Sequence, residues 1–123
     1  IGAGGPIGLA AYFQYFPRCK LVVAQSNEFD AFVRSIESGE IEYNNSICAP
    51  GLSDGIAVDK PEEHALHLAK QLGVQGISVN SSYVKEIHKR TKLGGSSCIS
   101  LASLKKFQIE TDVVVILDCE GNY

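Results

Sequence analysis

Val113-Val114-Val115-Ile116-Leu117 is a run of five apolar residues with no polar position inside it. A strand with one wet face alternates apolar and polar side chains, so an unbroken β-branched run is a strand covered on both faces. Asp112–Leu117 therefore reads as a central parallel strand. Leu21–Gln25 (Leu-Val-Val-Ala-Gln) reads as a second buried strand and Ile77–Val79 as a short third. Helix-period stretches separate them. Strands that alternate with helices predict an α/β fold: three layers, with a mostly parallel sheet flanked by helices.

The helices can be placed from their stop and start signals. Ile7–Phe16 reads as a helix stopped by Pro17. Asn27 is a good N-cap for a helix over Glu28–Glu37, which Ser38-Gly39 ends. Glu40–Asp54 contains Asn44-Asn45 and Pro50-Gly51 and runs into Asp54-Gly55. It is the longest loop-like region, and loops are where function concentrates. Pro61 suits the first helical position, with Glu62 and Glu63 at the positive helix end. That helix runs to Leu72, with Ala65, Leu68, Ala69 and Leu72 on one face and Gly73 as its stop. Ser81 or Ser82 caps the next helix, which carries Tyr83, Val84, Ile87 and Thr91 and breaks at Gly94-Gly95. Ser96–Phe107 is a more apolar, buried helix with Cys98, Ile99, Leu101, Ala102 and Leu104.

A chain of 123 residues holds one modest core, so a single segment over residues 1–123 is expected. A net charge of −3 offers no basic surface for nucleic acid or membrane, and no apolar run nears the roughly 20 residues that span a bilayer. Cys19, Cys48, Cys98 and Cys119 show no paired or metal-ligand spacing. They suit reduced thiols and a cytoplasmic setting. His64 and His67 lie one helical turn apart with no evident third ligand, so they read as a polar helix face and no metal site is expected. His88, Arg90 and Lys92 read as surface.

Residues 2–8 (Gly-Ala-Gly-Gly-Pro-Ile-Gly) carry the strongest chemical signal. Bunched glycines free backbone N–H groups to point one way, as a phosphate cradle at a helix N-terminus requires. Such a turn normally follows a strand, and only Ile1 precedes it, so the sequence reads as starting in mid-fold. Two further segments stand out. Gly51–Val58 is a turn before a short apolar strand. Cys119-Glu120-Gly121-Asn122 follows the Val113–Leu117 run, at the carboxyl end of a strand, where open α/β sheets bind ligands.

Together these segments resemble the fold-type II pyridoxal-phosphate enzymes, the group of threonine dehydratase, serine dehydratase and threonine synthase. Gly2-Ala3-Gly4-Gly5-Pro6 resembles the family's phosphate loop. Ser53-Asp54-Gly55-Ile56-Ala57-Val58 resembles its ADGIAV segment, which passes close to the cofactor. Gly94–Ala102 resembles EPSSAASLA, the start of a buried helix. Cys119-Glu120-Gly121-Asn122 resembles SGGN, whose first residue hydrogen-bonds the pyridine nitrogen.

The resemblance implies the C-terminal portion of the cofactor-binding large domain, part of a tryptophan synthase β-like fold. Residues 1–5 are then the phosphate loop, and residues 112–123 the final strand and pyridine-side loop. It implies pyridoxal 5'-phosphate held by Gly2, Ala3, Gly4, Gly5, Pro6, Gly55 and Cys119, a small amino-acid substrate and β-elimination chemistry. A neutral thiol at the ring nitrogen suits elimination or replacement better than amino-group transfer. The Schiff-base lysine is expected upstream, in the same or a separate chain, and Ser103-Leu104-Lys105 only copies its pattern on a helix end. Lys105 and Lys106 read as solvated. A homodimer is a further expectation by analogy.

The sequence departs from the family in four places. Pro6 removes one N–H donor, Gly94 stands where Glu is usual, and Glu120 stands where Gly is usual. Gln25 offers no carboxylate where some relatives bind a cation. Two readings compete with dehydratase chemistry. The Gly-Gly-Ser-Ser segment leans toward threonine synthase or another β/γ-replacement enzyme. The glycine turn also resembles the GAGPIG turn of alcohol dehydrogenases with one glycine inserted, which would make a nicotinamide-binding module. A degenerate, non-catalytic domain is a third possibility.

Overall fold

The computed structural model describes residue 15, residues 21–44 and residues 60–106. In chain order these form β1 (Val22–Ser26), α1 (Ala31–Ser38), α2 (Glu63–Gln71), β2 (Gln75–Val79), α3 (Ser81–Thr91) and α4 (Gly95–Lys106). The strands pair in parallel, from Val22 opposite Gln75 to Ser26 opposite Val79. The expected helix Ile7–Phe16 (apart from exposed Tyr15), the strand Asp112–Leu117 and residues 45–59 lie outside the described residues.

Successive strand side chains point to opposite faces, and β1 uses both. Val23 joins Phe32, Ala65, Ala69 and Val74, which belong to the α1–α2 side. Ala24 packs against a second cluster of Val79, Val84, Cys98, Ile99 and Ala102, on the α3–α4 side. The sheet is thus sandwiched between two helical layers, as a covered parallel strand demands. Full burial of a Val or Ile side chain stabilises by about 1.5–3 kcal/mol. Val23, Val79 and Ile99, each 1% exposed, supply that driving force from both faces.

One contact sets the spacing of a helical layer. A Cβ added to Gly76 of β2 would lie 3.1 Å from Val33 Cγ1 and 3.2 Å from Val33 Cα. Helix α1 therefore rests on the sheet so closely that a side chain at residue 76 would require a shift of a few tenths of an ångström.

The helix ends differ from the sequence-based expectations in instructive ways. Helix α1 starts at Ala31, not Glu28, with Asp30 at the cap position and no side-chain cap bond of its own. Asn27 instead sits in the turn after β1, where its side-chain oxygen accepts from the Ser81 N–H at 3.1 Å. Gly39 ends the helix as expected, in the left-handed conformation at φ 82°. Helix α2 starts at Glu63, which puts Pro61 before the cap rather than inside the first turn. Leu66 is buried there with Ala65 and Ala69, whereas Leu72 is exposed because it falls beyond the last turn.

Helix α3 is capped by Asn80, whose side-chain oxygen accepts from Ser82 N–H at 2.8 Å, so neither serine is the cap. It ends at Lys92, with φ 63°, before the glycine pair is reached. Helix α4 buries Cys98, Ile99 and Ala102, as its apolar pattern requires. Its basic end is exposed, as expected for a solvated helix end, and both lysines also make contacts with the fold. Lys105 Nζ lies 4.4 Å from the Tyr83 ring centroid, and Lys106 Nζ donates to the Ser78 carbonyl at 2.6 Å. No helix among the described residues is long and apolar enough to cross a membrane.

Candidate functional site

In a parallel α/β sheet, ligands sit beyond the carboxyl ends of the strands. For β1 and β2 that edge is Ser26-Asn27 and Val79-Asn80, and its polar groups are tied to one another. Asn27 N–H donates to the Val79 carbonyl at 2.8 Å, which bridges the two strand ends. The side-chain oxygens of Asn27 and Asn80 take two of the first N–H groups of α3, from Ser81 and Ser82. These donors serve the fold.

The start of α1 is closed in the same way, by residues distant in sequence. Gln25, buried on β1, accepts from the Val33 N–H through Oε1 at 3.0 Å. Asn44 Oδ1 accepts from the Ala31 N–H at 3.0 Å. The amide of Gln25 thus stands at the strand end without a carboxylate, and its acceptor is spent on the helix.

A polar cluster connects this helix start to the sheet and to residues 40–44. The Arg34 guanidinium donates from Nε to Asp30 Oδ1 at 2.9 Å and from Nη2 to the Tyr43 carbonyl at 2.7 Å. It also reaches Asn44 Oδ1 at 3.3 Å and Glu42 Oε2 at 3.6 Å. The second oxygen of Asp30 accepts from Ser78 Oγ of β2 at 2.9 Å. Ser35, fully buried, donates from Oγ to the Ala31 carbonyl at 2.7 Å and accepts from the Glu42 N–H at 2.8 Å. Residues 41–44 carry no helix or strand, and these α1 side chains give them partners. On the far side of residues 45–59, Lys60 Nζ comes back to 5.6 Å from the Tyr43 ring centroid.

The histidines do not gather into a site. His67 borders a shallow groove of about 320 Å³ with Glu40, Glu63 and Lys70, and the Lys70 ammonium donates to the Gly39 carbonyl. His88 Nδ1 lies 2.6 Å from the Leu93 carbonyl oxygen. Among the described residues no group of three His, Cys, Asp or Glu side chains could hold a metal ion. Cys98 is a buried thiol outside any disulfide, and its Sγ donates to the Leu93 carbonyl at 3.5 Å.

The residues singled out for the cofactor, Gly2, Ala3, Gly4, Gly5, Pro6, Gly55 and Cys119, lie outside the described residues. The described part supplies a framework of β1, β2 and α1 together with residues 40–44. Arg34, Gln25 and Asn44 are the framework residues that sequence reasoning missed. The Asp30/Arg34 spacing of four on a helix was a visible signal for one of them; nothing local announces the reach of Gln25 or Asn44.

No protein-family profile matches the chain, and no curated protein matches it. Among solved structures it is similar to the crystal structure of the threonine deaminase of T.th., with a TM-score of 0.69 and 22% sequence identity. That similarity covers 86% of this chain and 40% of the deaminase chain. The class is therefore an α/β fold of the tryptophan synthase β-like kind, with a parallel sheet between helical layers. More particularly, the fold is the one seen in threonine deaminase, and this chain spans less than half of that protein's length.

Proposed function

We propose that this chain is part of a pyridoxal-phosphate-dependent amino-acid lyase of the threonine/serine dehydratase type, acting by β-elimination. The observation that carries the reading is the fold likeness to threonine deaminase over 86% of the chain. The order of the glycine turn, the Gly55 segment and the Cys119 segment along the sequence agrees with it.

The donor chemistry fits the cofactor when it is sorted by place. Among the described residues no buried side-chain nitrogen or oxygen lacks a partner. The strand-end asparagines turn their acceptors onto α3, so this edge offers no spare cradle for a phosphate. Gly2, Ala3, Gly4 and Gly5 supply backbone N–H donors for it, and Pro6 supplies none. Gly55, without a side chain, leaves room for close backbone approach. A thiol at Cys119, if neutral, would hydrogen-bond a ring nitrogen without forcing a proton onto it. The bound group supplies an electron sink for breaking bonds at the amino-acid α-carbon. The lysine that anchors it, and the residues that read the substrate carboxylate, belong to the other part of the enzyme, in the same or a separate chain.

Threonine synthase or another replacement enzyme is the second reading, favoured by Gly94-Gly95-Ser96-Ser97, from which α4 starts at Gly95. The test is product formation by the complete protein with added pyridoxal phosphate. Release of a 2-oxo acid and ammonia from L-threonine or L-serine is expected. Turnover that requires a second nucleophile would shift the reading to replacement. No cofactor-dependent turnover of any amino acid would end it.

A further inference from the structure

A net charge of −3 conceals a division of charge between the two helical layers. Residues 81–106, which hold α3 and α4, carry six lysines and arginines against one acidic side chain, Glu86. On the other side of the sheet, α1, α2 and the residues beside them expose Glu37, Glu40, Glu62 and Glu63. Lys85, Lys89 and Lys92, all exposed, are four and three residues apart, so they form one stripe along α3 and its end. Like charges at this spacing work against the helix, and only Lys85 meets an acid, Glu28 at 3.7 Å. Among the described residues the ammonium groups of Lys89 and Lys92 have no ion-pair partner. Neither have the carboxylates of Glu37, Glu40, Glu62 and Glu63.

The acidic side also holds the shallow groove of about 320 Å³, in which Glu40 and Glu63 stand beside Ile41 and Leu66. Lys70 is the groove's own cation, and its ammonium is turned to the Gly39 carbonyl. Ile41 and Leu66 give apolar lining for the stem of a long side chain, whose charged head then reaches Glu40 or Glu63. We propose that the basic stripe of α3 docks in this groove on a second copy of the chain. Stripe and groove lie on opposite sides of the sheet, so one pair of copies cannot satisfy both faces of each. The contact is therefore head to tail, and copies add in a row or close into a ring. The docking does not depend on the function proposed above.

The experiment is sedimentation of the complete protein at about 0.01 M and about 1 M ionic strength, where exposed charges act over about 30 Å and about 3 Å. At equal concentration the average mass is expected to be at least about twofold higher at low ionic strength. The double variant Lys89→Gln, Lys92→Gln keeps the groove and loses the stripe, and Glu40→Gln, Glu63→Gln does the reverse. All four side chains are exposed, so both variants keep the core intact. Each alone is expected to hold its high-salt mass at both ionic strengths. Their equimolar mixture is expected to reach about twice that mass and go no further, because one stripe and one groove remain between them. A mass of the unaltered protein that ignores ionic strength overturns the proposal without any variant. Association that survives in either double variant overturns it too, as does a mixture that stays apart or grows past pairs. Binding of polyglutamate through Lys89 and Lys92, with copies staying single, assigns the stripe to another acidic partner and also overturns it.

Discussion

Replacing Gly76 by alanine tests how tightly α1 rests on the sheet. The added methyl carbon would stand 3.1 Å from Val33 Cγ1, 3.2 Å from its Cα and 3.3 Å from its Cβ. Unstrained carbon contacts are about 3.5–4.0 Å. Rotation of Val33 moves Cγ1 but leaves Cα in place, so the helix itself must lift. Overpacking of this kind costs about 1–3 kcal/mol. Removing a strand glycine returns about 0.5–1 kcal/mol by lowering the entropy of the unfolded chain. The expected net loss is about 1–2 kcal/mol, read in urea unfolding as a lower midpoint at unchanged slope. Adding Val33→Ala removes both γ-methyls, Cγ1 among them, but leaves Cα and Cβ in place, so the double variant should recover less than half of the loss once the cost of Val33→Ala alone is subtracted. A neutral or stabilising Gly76→Ala would refute the close approach. Full recovery in the double variant would show that only a side chain, and not the helix backbone, stands in the way.

Two other substitutions probe local features. Lys92→Gly should stabilise by about 0.5–1 kcal/mol, because Lys92 ends α3 at φ 63°, where glycine escapes the Cβ penalty; thermal unfolding reads it as a rise in midpoint. Ser35→Ala leaves the Glu42 N–H without its partner and should destabilise by about 1–3 kcal/mol. Its urea midpoint should fall well below that of Ser38→Ala, whose hydroxyl bonds only at the exposed helix end.

Much of the layered fold could be read from apolar spacing. The β-branched run at Val22-Val23 and the pattern of Cys98, Ile99 and Ala102 place a strand and a buried helix almost where they lie. Burial is a short-range property of period, so it survives in sequence. The helix starts were legible only in part. Asn27 has the side chain of a cap, but a turn intervenes and its oxygen serves α3, 54 residues away. Gln25 and Asn44 serve α1 across 8 and 13 residues. Such bonds depend on where the fold brings elements together, and no local spacing encodes them. Lys92 took the left-handed end of α3 ahead of two glycines because the helix stopped earlier than its glycines implied. For the proposed site, sequence carries the glycine turn, Gly55 and Cys119, and the described structure adds the contacts that Arg34 makes with Tyr43 and Asn44.

The most direct measurement is a pyridoxal-phosphate titration of the complete protein, followed by fluorescence, beside its Gly4→Val variant and an NADH titration. The account predicts saturable binding of pyridoxal phosphate that Gly4→Val abolishes, because a branched side chain intrudes where the backbone must approach the phosphate, and no response to NADH. Binding of NADH without pyridoxal phosphate, or pyridoxal-phosphate binding indifferent to Gly4→Val, would contradict it.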